Sequence, residues 1–178
     1  MIEPIIFYLE PTAIEFTEQL NTFGKSLFNG IEIKVGNTYL SIGCRFIDPY
    51  YGLAISEGRL PEFEYIKEEK SPTLFNSNII GQTIKSVDIY WMKIPWSGAV
   101  GFYPQEFVIR TDKDLLLLSS FEVNGGEVNT TFTDEMLVIE DEVVAKQLKL
   151  GEYGIENNKR EWFKNFDELY ETDNRYWL

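Results

Sequence analysis

The chain has 178 residues, 29 Asp and Glu against 16 Lys and Arg, no histidine, and a formal net charge of −13. Without histidine it cannot build Ser-His or Cys-His nucleophile pairs, histidine metal ligands or the usual near-neutral proton shuttle. The acid excess repels nucleic acid and attracts basic partners, so composition points to an acidic binding protein ahead of an enzyme.

The start, Met1-Ile2-Glu3-Pro4, is acidic and lacks the basic region that opens a secretory signal. Ile5 to Leu9 reads as a short strand. From Pro11-Thr12 onward, Ile14, Leu20, Phe23 and Leu27 fall at partly helical spacing. Glu15 and Glu18 suit a helix start, whereas Thr17, Thr22 and Gly24 weaken one. Next, Ile31, Ile33 and Val35 alternate with Glu32 and Lys34, and Leu40, Ile42, Cys44 and Phe46 alternate again after Gly36-Asn37. Two alternating runs around a Gly-Asn pair predict an antiparallel hairpin with one buried face. Cys44, the single cysteine, has no internal disulfide partner and reads as a buried structural thiol.

Asp48-Pro49 breaks the run, and Tyr50 to Ser56 is a third strand candidate. Arg59 to Asn78 holds two prolines and many charges with little periodicity, which predicts a long surface loop or insertion. The β pattern returns with Ile84, Val87, Ile89, Trp91 and Ile94, ended by Pro95. Pro95 to Gly101 reads as a loop, Phe107 to Arg110 as a strand partly buried on both faces, and Thr111-Asp112-Lys113-Asp114 as a polar turn. Leu115 to Val123 is a further strand, placed near a sheet centre by four leucines. Those leucines are the longest aliphatic cluster, far short of the roughly 20 residues that cross a bilayer.

After the Asn124-Gly125-Gly126 turn, Val128 to Phe132 and Met136 to Ile139 are short strand candidates. Thr133-Asp134 is an alternative helix cap, and Glu140 to Leu150 suits a helix stopped by Gly151. The segment 152–178 is dense in acids and aromatics, with Trp162, Phe166, Leu169 and Tyr170 at helical spacing, so a helix is expected over 159–172. Tyr176-Trp177 reads as a terminus docked on the core. The fold class expected is α+β: a β-rich, mainly antiparallel single domain over 1–178, built from hairpins with a few peripheral helices.

The glycines form no dinucleotide or phosphate-loop pattern, and no zinc or EF-hand spacing is present. No catalytic residue, metal ligand or cofactor is therefore assigned. Asp112 and Asp114 are read as turn residues ahead of calcium ligands. Acid beside aromatic is the distinctive pattern, and Glu140, Asp141, Glu142, Trp162, Asp167 and Glu168 are the candidate contacts for a basic protein partner. Glu140-Asp141-Glu142 equally suits a helix N-terminus. An alternative is a carboxylate hydrolase or a small-ligand or carbohydrate binder. It would use the aromatic stretch 90–103, with Trp96 and Glu122 as its leading residues and Asp88 and Glu106 next.

The stretch Gly81 to Trp91, with Tyr103-Pro104-Gln105-Glu106 and the leucine strand ending in Glu122, resembles small bacterial proteins of the immunity type that accompany polymorphic toxins. That resemblance implies a stoichiometric, non-enzymatic inhibitor of a toxin, often cytoplasmic, with no catalytic residue to carry over. The acid excess suits a basic toxin, and the lack of a signal, span or disulfide pair favours a cytoplasmic location. No nucleic-acid or membrane partner is expected.

Overall fold

The computed structural model describes residues 2–7, 12–15, 23–28, 30–47, 50–58, 73–75, 77–96, 99–120, 122–124, 127–129, 135–155 and 162–164. Fourteen strands and two short helices lie among them. In chain order the strands are β1 (Ile2–Phe7), β2 (Thr12–Glu15), β3 (Phe23–Phe28), β4 (Gly30–Val35), β5 (Thr38–Ile47), β6 (Tyr50–Glu57), β7 (Thr73–Phe75), β8 (Ile84–Trp96), β9 (Ala99–Thr111), β10 (Leu115–Ser120), β11 (Glu122–Asn124), β12 (Glu127–Asn129), β13 (Glu135–Ile139) and β14 (Trp162–Lys164). The helices, α1 (Glu142–Gln147) and α2 (Glu152–Ile155), lie between β13 and β14.

These strands form a five-stranded sheet in the order β6-β5-β4-β1-β7, a seven-stranded sheet in the order β14-β8-β9-β10-β13-β3-β2, and a β11-β12 ribbon. Every pairing is antiparallel. The described residues are thus β-rich, as the alternating patterns predict.

The run of four leucines explains the layering. Strand β10 is the fourth of seven strands, and all six of its residues are buried. Successive side chains point to opposite faces. Leu116 and Leu118 therefore join Phe107, Ile109, Met136 and Val138 against Ile31, Ile33, Ile42 and Leu53 of the five-stranded sheet. Leu115 and Leu117 face the other way, into a second apolar layer with Tyr90, Val108, Leu137, Ile139 and the helix-side residues Val144, Ala145 and Leu150. Cys44 is half-buried and packs against the layer between the sheets.

The β4-β5 hairpin forms as expected, with Val35 opposite Thr38 and Gly36-Asn37 as its loop. Gly36 adopts φ +61°, a conformation that side chains with a Cβ rarely take. The expected single buried face is corrected, because Glu32 and Ser41, on the opposite face, are also fully buried. β6 matches the third strand candidate, and β1 begins three residues before the strand expected there.

Other boundaries differ for reasons of pairing. The partly helical stretch after Thr12 is instead β2 and β3, because β3 pairs with both β2 and β13. Ladder partners outweigh a weak local helix preference. The expected loop 59–78 contains β7, which pairs with β1; residues 59–72 lie outside the described set. Pro95 does not end β8, which continues to Trp96 opposite Ala99. Pro95 stands beyond the part of β8 that β14 pairs, an edge position where a strand tolerates a residue without an N–H. Residues 162–164 of the expected 159–172 helix form β14, which pairs Trp162 with Met92; residues 165–172 are outside the described set. Asp48-Pro49, Ser97-Gly98, Thr133-Asp134 and Tyr176-Trp177 are likewise outside it.

The expected helix from Glu140 narrows to α1, whose N-cap is Asp141, its carboxylate accepting from the Val143 N–H at 2.8 Å. Gly151 follows with φ +60°, and a Cβ built there would meet Val108 Cγ2 at 3.3 Å. Leu118→Ala should cost about 2–5 kcal/mol through the cavity it leaves between the sheets. Gly151→Ala should cost roughly 1–2 kcal/mol through the left-handed backbone alone. Urea denaturation checks both, and an unchanged midpoint for Leu118→Ala would contradict the central placement of β10.

Candidate functional site

The hairpin turn between β9 and β10 is built by side chains that serve one another. The Thr111 N–H donates to the Asp114 carbonyl at 2.9 Å, and the Asp114 N–H donates to the Thr111 hydroxyl at 2.9 Å. That hydroxyl donates to Gln82 Oε1 at 2.5 Å, and Gln82 Nε2 donates to Asp114 Oδ2 at 2.5 Å. Asp112 Oδ1 accepts weakly from the Thr83 N–H at 3.4 Å. Asp114 is therefore held within the turn through Gln82, and Asp112 ties the turn to Thr83. Among the described residues no group of three or more His, Cys, Asp or Glu is arranged to hold a metal ion.

A second loop closes on this turn. Glu140, leaving β13, accepts from the Ser77 hydroxyl and from the Asn78 N–H, the latter at 3.0 Å. It thereby fixes the turn Ser77–Ile80, whose Ile79 is fully buried in the layer between the sheets. Next in sequence come the cap Asp141 and the first helical residue, Glu142. The two loops face each other across an open cleft of about 500 Å³, lined by Asn78, the segment Arg110–Leu115 and the run Glu140–Glu142.

Five carboxylates (Asp112, Asp114, Glu140, Asp141, Glu142) and two cations (Arg110, Lys113) line this cleft, a local excess of three negative charges. Arg110 is engaged within the molecule: its guanidinium donates to Glu152 at 2.9 Å and lies 3.9 Å from Glu142. Lys113 is exposed at the tip of the turn. Glu142 also accepts from the Tyr153 hydroxyl at 2.7 Å. That hydrogen bond, then burial and the charges of Glu142 and Glu152, push the Tyr153 pKa up to about 12. Lys146 lies 6.0 Å from the centre of the same ring, within cation–π range.

Of the residues assigned from sequence to a partner surface, Glu140, Asp141 and Glu142 come together in the cleft. The backbone of Trp162 lies elsewhere. It pairs with Met92, opposite Tyr103, eight residues along β9 from Thr111 and so roughly 26 Å of strand away. Asp167 and Glu168 are outside the described residues. For Trp96 and Glu122 only backbone pairing is described. Trp96 is in strand β8 and not in a loop, and Glu122 opens the separate β11-β12 ribbon instead of ending the leucine strand.

The remaining carboxylates considered for chemistry, Asp88 and Glu106, are buried. Glu106 accepts from the Ser119 hydroxyl at 3.2 Å and from the Gly151 N–H, so it ties the α1-α2 connection to the sheet. Beside it, Tyr90 is fully buried, and its hydroxyl has no hydrogen-bond partner among the described residues. Burial first, then the charges of Asp88, Glu152 and Glu106, hold Tyr90 protonated against the opposing effect of Arg110.

Sequence reasoning found one wall of the cleft and missed the other as part of a site. Asp112 and Asp114 carried a turn signal, and nothing in their spacing indicates that Glu140–Glu142 folds against them. No protein-family model, curated protein or solved structure matches this chain.

Because the Tyr153 pKa is raised, its bond to Glu142 stabilises the fold fully below pH 10, the ordinary value. The contribution is lost as pH rises toward 12, since the unfolded chain releases its proton first. Tyr153→Phe should remove one late ionisation from an NMR titration of ring-labelled tyrosine and flatten the decline in stability across that window. Loss of an ionisation near the ordinary pH 10, in place of the late one, would contradict the bond.

Proposed function

We propose that this chain is a single-domain, α+β, non-enzymatic binding module whose acidic cleft receives basic side chains of a protein partner. The observation that carries this reading is the convergence of Asp112, Asp114, Glu140, Asp141 and Glu142 around one open cleft from two separate loops. Lysine or arginine side chains suit such a cleft, since its carboxylates retain lone pairs beyond those used in turns and caps. Of its two cations, Arg110 already pairs with Glu152. The net charge of −13 adds long-range attraction, which speeds encounter with a basic surface by about 10- to 1000-fold at low salt.

The inhibitor form of this reading, an immunity protein held in a bacterial cytoplasm against a basic toxin, rests on the resemblance of residues 81–122. A nuclease toxin must present a basic phosphate-binding surface, and an acidic cleft is complementary to it. Among the described residues no helix is long and apolar enough to cross a membrane.

The test uses decalysine as a model basic ligand and backbone NMR as the readout. Shift changes should concentrate on residues 110–114 and 140–142. Association should slow by about tenfold between low salt and 0.5 M as the Debye length contracts. The exposed-side variants Asp112→Asn and Glu142→Gln together should weaken binding severalfold without lowering stability by more than about 1 kcal/mol. Shifts scattered over the surface, or salt-independent association, would overturn the cleft as the site.

A further inference from the structure

Among the described residues the five-stranded sheet stops short of the seven-stranded sheet on one side. β6, its edge strand, packs over β9 and β10, while β5 lies over β13. The next strand outward in the larger sheet is β8. Exposure rises abruptly across this boundary in both layers. Ile42 is fully buried, but its β6 partner Ile55, on the same face, is 42% exposed. Ile109 is 1% exposed, but its β8 partner Val87 is 37% exposed. The apolar interior therefore opens beside β6, with Ile55 above and Val87 below, flanked by the partly buried Ile84 and Ile89.

The edge itself is suited to pairing. The Gly58 N–H donates to the Tyr39 carbonyl at 2.7 Å, which sets the alternation of β6 backbone groups. Two-residue periodicity then turns the N–H and C=O of Leu53, Ile55 and Glu57 outward. No strand pairs with this side among the described residues. Edge strands are commonly blunted by lysine, proline or a bulge. The β6 sequence, Tyr50-Tyr51-Gly52-Leu53-Ala54-Ile55-Ser56-Glu57, has neither residue, and its register with β5 is unbroken over eight pairs.

We infer that β6 is a strand-addition site, occupied by an extended segment of a cationic partner in which apolar residues alternate with lysine or arginine. This rests on the reading of a basic partner made above and assigns that partner a second contact. An added strand lies about 4.8 Å beyond β6, over β8. Its backbone satisfies the outward groups of Ile55 and its neighbours, and its apolar face covers Ile55 and Val87. Its cations face outward, where the chain's charge of −13 favours them. The same charge opposes a second copy of this chain as occupant.

The test uses four synthetic decapeptides: alternating Val and Lys, the same peptide N-methylated along one hydrogen-bonding edge, alternating Val and Glu, and decalysine. The Val-Lys peptide should bind and slow amide hydrogen exchange at Ile55 and Glu57 at least tenfold. N-methylation should abolish that protection. Val87→Ser should weaken binding severalfold, and Ile55→Pro should remove it. Should the proline variant fail to fold, the N-methylated peptide decides the same question.

Binding of Val-Lys peptide and decalysine with equal affinity, with β6 amides unprotected, overturns strand addition and leaves the basic-partner reading standing. Equal protection of β6 by the Val-Glu peptide overturns the cationic occupant, and decalysine binding at the cleft then reports separately on the earlier reading. Protection that grows with protein concentration alone, without peptide, assigns the edge to a second copy and also overturns the inference.

Discussion

Strand β10 lies fourth in a seven-stranded sheet with every residue buried, and two apolar layers among the described residues are built on it. Its leucines alternate between a layer shared with the five-stranded sheet and a layer beneath α1 and the Leu150-Gly151 connection. A sheet covered on only one face would leave Leu115 and Leu117 in water, at about 25 cal/mol for each Å² of apolar surface. Burial of the second face fixes where the chain after β13 must run. Val144, Ala145 and Leu150 have to return over the sheet, and Glu106 secures that return by accepting from the Gly151 N–H.

The acidic cleft is a consequence of this arrangement. β9 and β10 meet at the Thr111–Asp114 turn, and β13, paired with β10, leaves the sheet beside it. Glu140, Asp141 and Glu142 must then turn the chain from strand to helix at that point. Each of these carboxylates also serves the fold locally. Glu140 secures the Ser77–Ile80 turn, Asp141 caps α1, and Glu142 bonds Tyr153. Their structural and electrostatic roles coexist, because a carboxylate has about four acceptor positions and these contacts use only some of them. The opening beside β6 has a different origin. Among the described residues it follows from stacking five strands on seven, with no described strand above Val87 of β8.

The two hairpins with strong alternation, β4-β5 and the β9-β10 turn, were legible because two-residue periodicity and turn chemistry are local. The central position of the leucines was legible because a strand apolar at consecutive positions needs cover on both faces. The stretch after Thr12 was not. Its apolar residues fit a partial helix period, and only the availability of β13 as a ladder partner makes β3 a strand. Trp162 misled for the same reason, since its helical spacing from Phe166 yields to the open edge of β8. Pro95 failed as a strand end because the rule against proline applies to a paired edge, and sequence does not show which edge is paired.

What the sequence determined by itself is the chemistry available: no imidazole, a surplus of carboxylates, and alternating apolar runs that must form sheets. It also marked Glu140–Glu142 as a helix entrance and Asp112–Asp114 as a turn. Tertiary structure alone decided that these segments, 26 residues apart between Asp114 and Glu140, face one another across a single cleft. It also decided that the backbone of Trp162 stands away from that cleft and that Ile55 and Val87 border the same opening. The physical reason is that spacing along the chain reports which face of an element a residue occupies, whereas sheet order and layer stacking depend on long-range pairing that no local pattern encodes.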